Sequence, residues 1–521
     1  MGSAAARGAP PHRTRLTGPL NLNHAMAPSA DNPSANAGRL FRGSCVALIA
    51  TSVAFATVGA VMLDLKNEFV LTNEQVGWIG GAALWGFALS QVVFAPLADT
   101  LGFRTLLRTA FAAHLIGTIT LMLGGSFAYL FTGALIISMG NGLVEAACNP
   151  LVAALYPGDK TVKLNNFHVW FPGGIVLGGL AAFGLDQLAA SSAGLEALGE
   201  WRVKIALIVI PTLIYGHMLL RERFPPTEGV QAGVSVGEMF RAALTTPFML
   251  LMLFAMTMTA SIEIGPTRWV PAVLEAGGIP GILVLVWING LMAVLRHRAG
   301  TVVHRLSPPG LLLVSAALSG VGLLAFSYAS GTAAVFLTAT IFAVGICYIW
   351  PTMLGVVSER VPKSGALGLG LMGAVGMATT GLVTAPQMGR VADVYAHDQL
   401  PVAEVVALFE RADGELATVP GPDASAARAA AVEVVEEYQA AGALPSPATA
   451  NALRQIIDSG AGEGLTGDAQ AILGPADNFG GRISFRYLVP LCAVLMVIFG
   501  VLQARARKEG GYRARRIAEA A

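Results

Sequence analysis

Twelve stretches of this chain run for about twenty residues with almost no charge, and that pattern leaves few folds open. They lie at 43–63, 76–98, 105–124, 128–155, 165–188, 202–221, 243–264, 281–303, 309–329, 333–356, 365–388 and 485–504. In hydrocarbon every backbone N–H and C=O must find a partner within the protein, so apolar runs of this length are stable as membrane-spanning α-helices. Composition agrees. Charged residues make up 12% of 521, about half the ~25% of a soluble domain. The 61 glycines suit helices whose backbones approach closely in lipid. Disordered chains, coiled coils and disulfide scaffolds are excluded, and a soluble enzyme is disfavoured. The expected fold is an all-α membrane protein with twelve transmembrane helices. The first span starts 42 residues in and is too long for a cleaved signal peptide.

Basic residues set the orientation. Arg104, Arg108, Lys160, Lys163, Arg221, Arg223, His304, Arg305, Arg360 and Lys363 fall on one side of the count, with Arg505, Arg507, Lys508, Arg513, Arg515 and Arg516 of the tail. That side is expected to be the cytoplasm. The chain is therefore expected in the cell (inner, cytoplasmic) membrane as a multi-pass monomer, both termini inside and lipid as its solvent.

The segments divide accordingly. Residues 1–42, rich in Ala, Pro, Asn and Gly, read as a disordered cytoplasmic tail, within which Met26 is a second candidate start. The first bundle is 43–221, the linker 222–242 carries Pro225 and Pro226, and 243–395 holds helices 7 to 11. Residues 396–484 have 13 acids and 4 bases, a net of −9. They are expected to form a solvated, helical, extracytoplasmic insert between helices 11 and 12, with a partner-docking module as the alternative. Helix 12 (485–504) and a basic cytoplasmic tail (505–521) follow. Cys45, Cys148, Cys347 and Cys492 all lie in apolar spans without metal-ligand spacing, and read as packing residues.

The two halves repeat. Helix 4 and its exit read GNGLVEAACNPLVAALYPGDKTVKLN, and helix 10 and its exit read GICYIWPTMLGVVSERVPKSGALG. Both pair a mid-helix proline (Pro150, Pro351) with an exit proline (Pro157, Pro362), offset by about 200 residues. APLADTLGFRTLL is mirrored by TVVHRLSPPGLLL. A repeat of six spans in the same orientation implies two bundles around an axis along the membrane normal. A solute site then sits near the midplane, reached from alternate sides.

With these motifs the chain resembles the major facilitator superfamily. The loop PLADTLGFRTLLR is similar to that family's signature loop, which implies a cytoplasmic gating role for Asp99, Gly102 and Arg104, with Arg305 at the mirrored position. Asp99 would hold charge-assisted bonds that break on inward opening. Ala95 replaces a usual Gly, and Thr100 and Phe103 replace usual basic positions. FVLTNEQVGWIG, GLVEAACNP, LNNFHVWFPGG and LRHRAGTVVHRLSP resemble the fucose-permease-like branch of sugar:proton symporters. That branch carries an acid in mid helix 1, where this chain has Gly59, its nearest acid being Asp64 at the outer edge.

A charge at membrane depth costs at least ~2.5–3.5 kcal/mol and marks a candidate site. Glu145 lies about eleven residues before the end of helix 4, roughly 16 Å and so near the midplane. Asn141, Glu145 and Asn149 share one helix face. A desolvated carboxyl group can take up and release a proton, so Glu145 is the candidate for proton coupling, against a structural ion pair. Arg296 matches the branch's helix-8 arginine, and a Glu145–Arg296 switch is expected across the halves. Arg298, about 200° round the helix, is read as snorkelling. His168, Asn165, Glu263, Tyr348 and Trp350 complete the candidate substrate set, each weighed against a packing role. Gln91, Asn289 and Gln387 read as hydrogen-bond glue, and Trp78, Trp201 and Trp269 as interface anchors.

No phosphate loop, nucleophile elbow or metal cluster occurs, so neither enzyme activity nor a cofactor or nucleic-acid partner is expected. The leading expectation is a secondary active transporter that couples protons to a carbohydrate or similar small polar solute. An exporter of drugs or metabolites and a non-transporting sensor or scaffold are the alternatives.

Overall fold

The structure is a computed structural model that describes residues 33–69, 71, 73–191, 194, 196–515 and 517. Most of the expected N-terminal tail, with Met26, lies outside the described residues. The described residues are helical, with no strand among them. Among the described residues, eleven helices are long and apolar enough to cross a membrane, and a bent pair, Gly281–His297 and Ala299–Leu306, makes a twelfth. The protein is a multi-pass membrane protein built of helices. The first span starts earlier than expected, inside a helix Pro33–Ala60. Residues 33–42 are therefore helical rather than part of an unstructured tail. Arg39 pairs with Glu222 at 2.8 Å, and Asn36 donates to the Arg223 carbonyl, which ties this end to the linker.

Spans one to six pack on one another, as do seven to twelve. The halves meet where the second span packs on the eleventh and the fifth on the eighth. Both described chain ends, the linker and the basic loops share one face, called here the terminal face. The linker folds into two short helices, Glu228–Gln231 and Val236–Thr245, the second started by a Ser235/Glu238 capping box.

Residues 396–484 lie at the other face, the insert face. They are not merely solvated. Helices Val402–Leu416, Pro422–Ala441 and Ala448–Asp458 pack on the start of Glu463–Arg486 around their own core, which includes Val405, Phe409, Ala427, Leu453, Ile456 and Leu465. Alanine at the buried positions is what makes this core hard to read from sequence. Arg411, Arg428 and Arg454 are paired with acids of the insert or of the adjoining eleventh span, which leaves most of the carboxylates facing water. Lys66, between the first two spans, reaches Asp458 of the insert at 2.8 Å.

On the terminal face the halves are sealed. The helix Lys160–Phe167 begins with backbone donors that have no intrahelical acceptor. Glu359, at the end of the tenth span, caps them: its Oε1 accepts from Thr161 N–H at 3.0 Å and Thr161 Oγ1 at 2.8 Å. Lys160 pairs with Glu228 at 2.6 Å and donates to the Ser358 carbonyl. A side chain at Gly355 would put its Cβ 2.7 Å from Thr161 Cα, so glycine permits this approach. The tail closes over the same point. Tyr512 Oη donates to Glu359 Oε2 at 2.8 Å, and Arg515 N–H donates to the Glu359 carbonyl at 2.7 Å.

Candidate functional site

Proline shapes the centre of the molecule. In a helix, residue i donates its N–H to the carbonyl of i−4, and proline has none to give. Pro172 therefore leaves the His168 carbonyl free in the fifth span, and Pro351 leaves the Cys347 carbonyl free in the tenth. Both spans break there, between Phe167 and Trp170 and between Ile346 and Ile349. Arg296 of the eighth span takes up both carbonyls. Its Nη1 donates to His168 O at 2.9 Å and its Nε to Cys347 O at 2.5 Å. Its Nη2 meets Glu263 Oε1 at 3.2 Å. One guanidinium thus joins a carbonyl of the first half to a carbonyl and a carboxylate of the second, and it is 2% exposed.

A second chain of bonds runs into the first half. His168 Nε2 lies 3.0 Å from Asn149 Oδ1, and Asn149 Nδ2 donates to Glu145 Oε2 at 3.2 Å. Since Asn149 accepts, His168 carries its proton on Nε2. The expected direct Glu145–Arg296 pair is replaced by this relay. Arg296 bonds Glu263 of its own half, and Glu145 is linked to it through Asn149 and His168. Glu145, Asn149 and His168 are all buried.

Above this cluster, toward the insert face, lies a cavity of about 630 Å³. Glu263 lines it, and so do Phe55, Phe171, Asn289 and Arg268. Gly59 lines it too, with open space where a side chain would stand. Asp64 does not replace the missing acid, because it pairs with Lys204 at 3.0 Å, as Asp186 does at 2.7 Å.

Apart from Trp350, the other candidates lie elsewhere. Asn141 Oδ1 faces His114 Nε2 at 2.9 Å, and His114 Nδ1 faces Tyr215 Oη at 3.1 Å, a buried relay inside the first half. Asn165 sits in the terminal-face seam, donating to Thr352 Oγ1 at 3.2 Å and to Thr161 O. Tyr348 donates to Leu295 O at 2.7 Å and so braces the eighth span, while Trp350 packs against Gly376 and belongs to the central cluster, its indole N–H directed at Glu145 and its backbone N–H at Glu263. In the signature loop, Gly102 has φ 75°, a turn that favours glycine. Arg104 donates to the Glu222 carbonyl. Asp99 has no charge partner among the described residues. Its Oδ1 is unpaired and its Oδ2 faces Gly229 of the linker. Arg305 is exposed at the end of the eighth span. Sequence reasoning missed His114, Glu359 and Arg268, and the proline-freed carbonyls, although Pro172 and Pro351 stand four residues after His168 and Cys347 in plain view.

Comparison with known proteins places this geometry. The yeast (Saccharomyces cerevisiae) hexose transporter HXT17 is 28% identical over 162 residues, 30% of this chain and 27% of that protein. A D-xylose-proton symporter-like protein of Arabidopsis thaliana is 26% identical over 170 residues, 32% of each. The chain spans about a quarter to a third of the length of these first relatives. A gentisate transporter of Corynebacterium glutamicum is 23% identical over 356 residues, 63% of this chain and 75% of that one. Among solved structures, the proton:xylose symporter XylE aligns with a TM-score of 0.59 at 14% identity, covering 70% of this chain and 91% of XylE. FucP in its outward conformation aligns at 0.56 and 18%, covering 68% and 92%. These establish the shared fold. The family description "Major Facilitator Superfamily" matches residues 44–393, and the chain belongs to that superfamily.

Proposed function

We propose that this protein is a secondary active transporter, a proton-coupled symporter of a sugar or similar small polar solute, working by alternating access from a membrane in which both termini face the cytoplasm. The observation that carries this reading is Arg296, buried between the halves beneath the cavity that Glu263 lines, with Glu263 on one side and the Glu145 relay on the other. A cation bonded to one acid directly and linked to a second through a relay across a domain interface has two arrangements to choose between, and protonating either acid shifts the choice. Glu145 and Glu263 supply carboxylates where Gly59 supplies none. The relatives named for hexoses and for xylose with protons support a carbohydrate substrate. Transport rather than catalysis, and action as a monomer, belong to the same reading.

The mechanism follows from the bonds. With the terminal face sealed, solute enters from the insert face and meets Glu263. Proton uptake by Glu263 or Glu145 weakens the hold on Arg296, and its bond to His168 O is then free to break as the halves rock. Glu145→Gln removes the titrating group and keeps the bond from Asn149. In proteoliposomes with an inward proton gradient, it is expected to abolish accumulation of a transported monosaccharide while leaving counterflow exchange within about threefold of wild type. Unchanged gradient-driven accumulation would rule out Glu145 as the coupling group.

A further inference from the structure

We propose that the cavity is built for a polyhydroxylated anion, a sugar carrying a carboxylate, with Arg268 as the residue that binds its charge. This rests on the transport reading and names a substrate class within it. Arg268 stands in the seventh span between Pro266 and Pro271 and opens into the cavity. No hydrogen bond or ion pair engages it among the described residues. Two buried cations of the bundle are partnered, Arg296 by Glu263 and Lys204 by Asp64 and Asp186, and Arg268 differs from them in facing the cavity unpaired. An arginine within a span costs at least ~2.5–3.5 kcal/mol to insert and cannot shed its charge, so one left without a partner beside a cavity calls for an anion from outside the chain.

The rest of the lining fits the other end of such a molecule. Glu263 spends Oε1 on Arg296, and its Oε2 is buried without a partner. Asn289 spends its amide N–H on the Leu285 carbonyl, which leaves its own carbonyl oxygen to the cavity. Thr267 spends its hydroxyl proton on the Glu263 and Ile264 carbonyls. The floor and wall therefore offer acceptors, which suit hydroxyl donors, and the guanidinium offers five donors, which suit a carboxylate. Arg268 lies five residues beyond Glu263, about 7.5 Å along the helix, a length that a six-carbon sugar acid spans. Phe55 and Phe171 present apolar walls to its C–H faces. Two further ionisable groups line the cavity: Asp186, whose charge is met by Lys204 at 2.7 Å, and Glu275, seven residues beyond Arg268, about 10 Å, at the water-exposed mouth. A neutral sugar satisfies the acceptors and leaves the guanidinium unmatched.

The test uses the full chain in proteoliposomes with an inward proton gradient, comparing D-glucuronate and D-gluconate with D-glucose and D-xylose. Wild type is expected to take a sugar acid with a KM at least about tenfold below that of its neutral counterpart. Arg268→Gln is expected to raise the KM for the acid about tenfold or more while changing the KM for neutral sugars less than about threefold, and Arg268→Lys to retain part of the preference. A thermal-shift titration of the purified variants with glucuronate reports binding apart from turnover. Accumulation of neutral sugars with no preference for acids overturns this proposal and leaves the transport reading standing. Accumulation of none of the four overturns both. An equal loss for acids and neutral sugars in Arg268→Gln, with Arg268→Lys behaving alike, also overturns it.

Discussion

On the terminal face the two halves touch backbone to backbone: Gly355 lies against Thr161, Glu359 caps the start of Lys160–Phe167, and Asn165 reaches Thr352. On the insert face the same halves stand apart around a cavity of about 630 Å³, and the Lys66–Asp458 pair ties the first half to the insert beyond it. The difference is one of interaction type. The sealed side uses close approach and buried, charge-assisted bonds, which hold only in one geometry. The open side uses a partly exposed pair, one of its members a long lysine, which tolerates movement. A transporter that rocks about a central site needs one side at a time to be held this firmly. The structure is the state in which the terminal side is held.

Gly355→Leu strikes this contrast hardest. The added Cβ falls 2.7 Å from Thr161 Cα, and the rest of the side chain has no space to enter. Overpacking of this kind costs about 1–3 kcal/mol, enough to shift the balance between sealed and open seams by about five- to 150-fold. The measurement is alkylation of a cysteine placed at Ser358 in the seam, from the terminal side, since the four native cysteines are buried. Labelling is expected to quicken at least tenfold in Gly355→Leu. Unchanged labelling would mean that the seam does not depend on that approach.

The tail provides a milder probe of the same side. Tyr512→Phe removes one hydrogen bond to Glu359 and keeps the ring over which Arg360 lies. A hydrogen bond to a charged acceptor contributes about 1.5–3 kcal/mol, most of it local to the tail. Tryptic cleavage after Arg513 and Arg515 is expected to quicken about tenfold, with a change in solute KM below about threefold. Burial, and then the neighbouring Glu359 carboxylate, hold the Tyr512 phenol well above its ordinary range. The folded chain thus keeps the proton longer than the unfolded one. The tail's contribution is complete below about pH 10, the ordinary tyrosine value, and falls as pH rises beyond it. Between pH 6 and about 9 the cleavage contrast between wild type and variant is expected to stay flat.

Much of this contrast was written in the sequence, and the missing parts have physical reasons. Apolar length gave the spans, because lipid enforces helices, and the Glu145–Asn149 stripe pointed to a buried polar centre. Pro266 made the seventh span look finished near residue 264, so Arg268 fell outside it; in the structure the helix continues through Pro266 and Pro271 to Glu275. Asn141 looked like a cavity residue because its helix face is shared with Glu145, but its partner His114 comes from another span, and one helix's periodicity carries no information about its neighbour. Glu359 looked like a span-end charge, and its role as a cap depends on a helix start about 200 residues away.

The insert face is where the smallest effect is expected. Lys66 and Asp458 are bonded at 2.8 Å, yet their side chains are 24% and 55% exposed. Pairs open to water in this way are worth about 0.2–1 kcal/mol, because water screens the attraction and ordering the side chains, above all the long lysine, costs entropy. The insert does not need this pair to fold, since its core of Phe409, Leu453 and Ile456 is its own. Lys66→Ala is therefore expected to leave the melting temperature of the purified protein within about 2 °C of wild type, and to change solute KM less than about twofold. The effect should shrink further in about 1 M salt, where the screening length falls to about 3 Å. If Lys66→Ala instead changed KM tenfold, and Asp458→Asn matched it, the pair would be a gate as firmly held as the terminal seam. The contrast between the two faces would then be one of shape alone and not of strength.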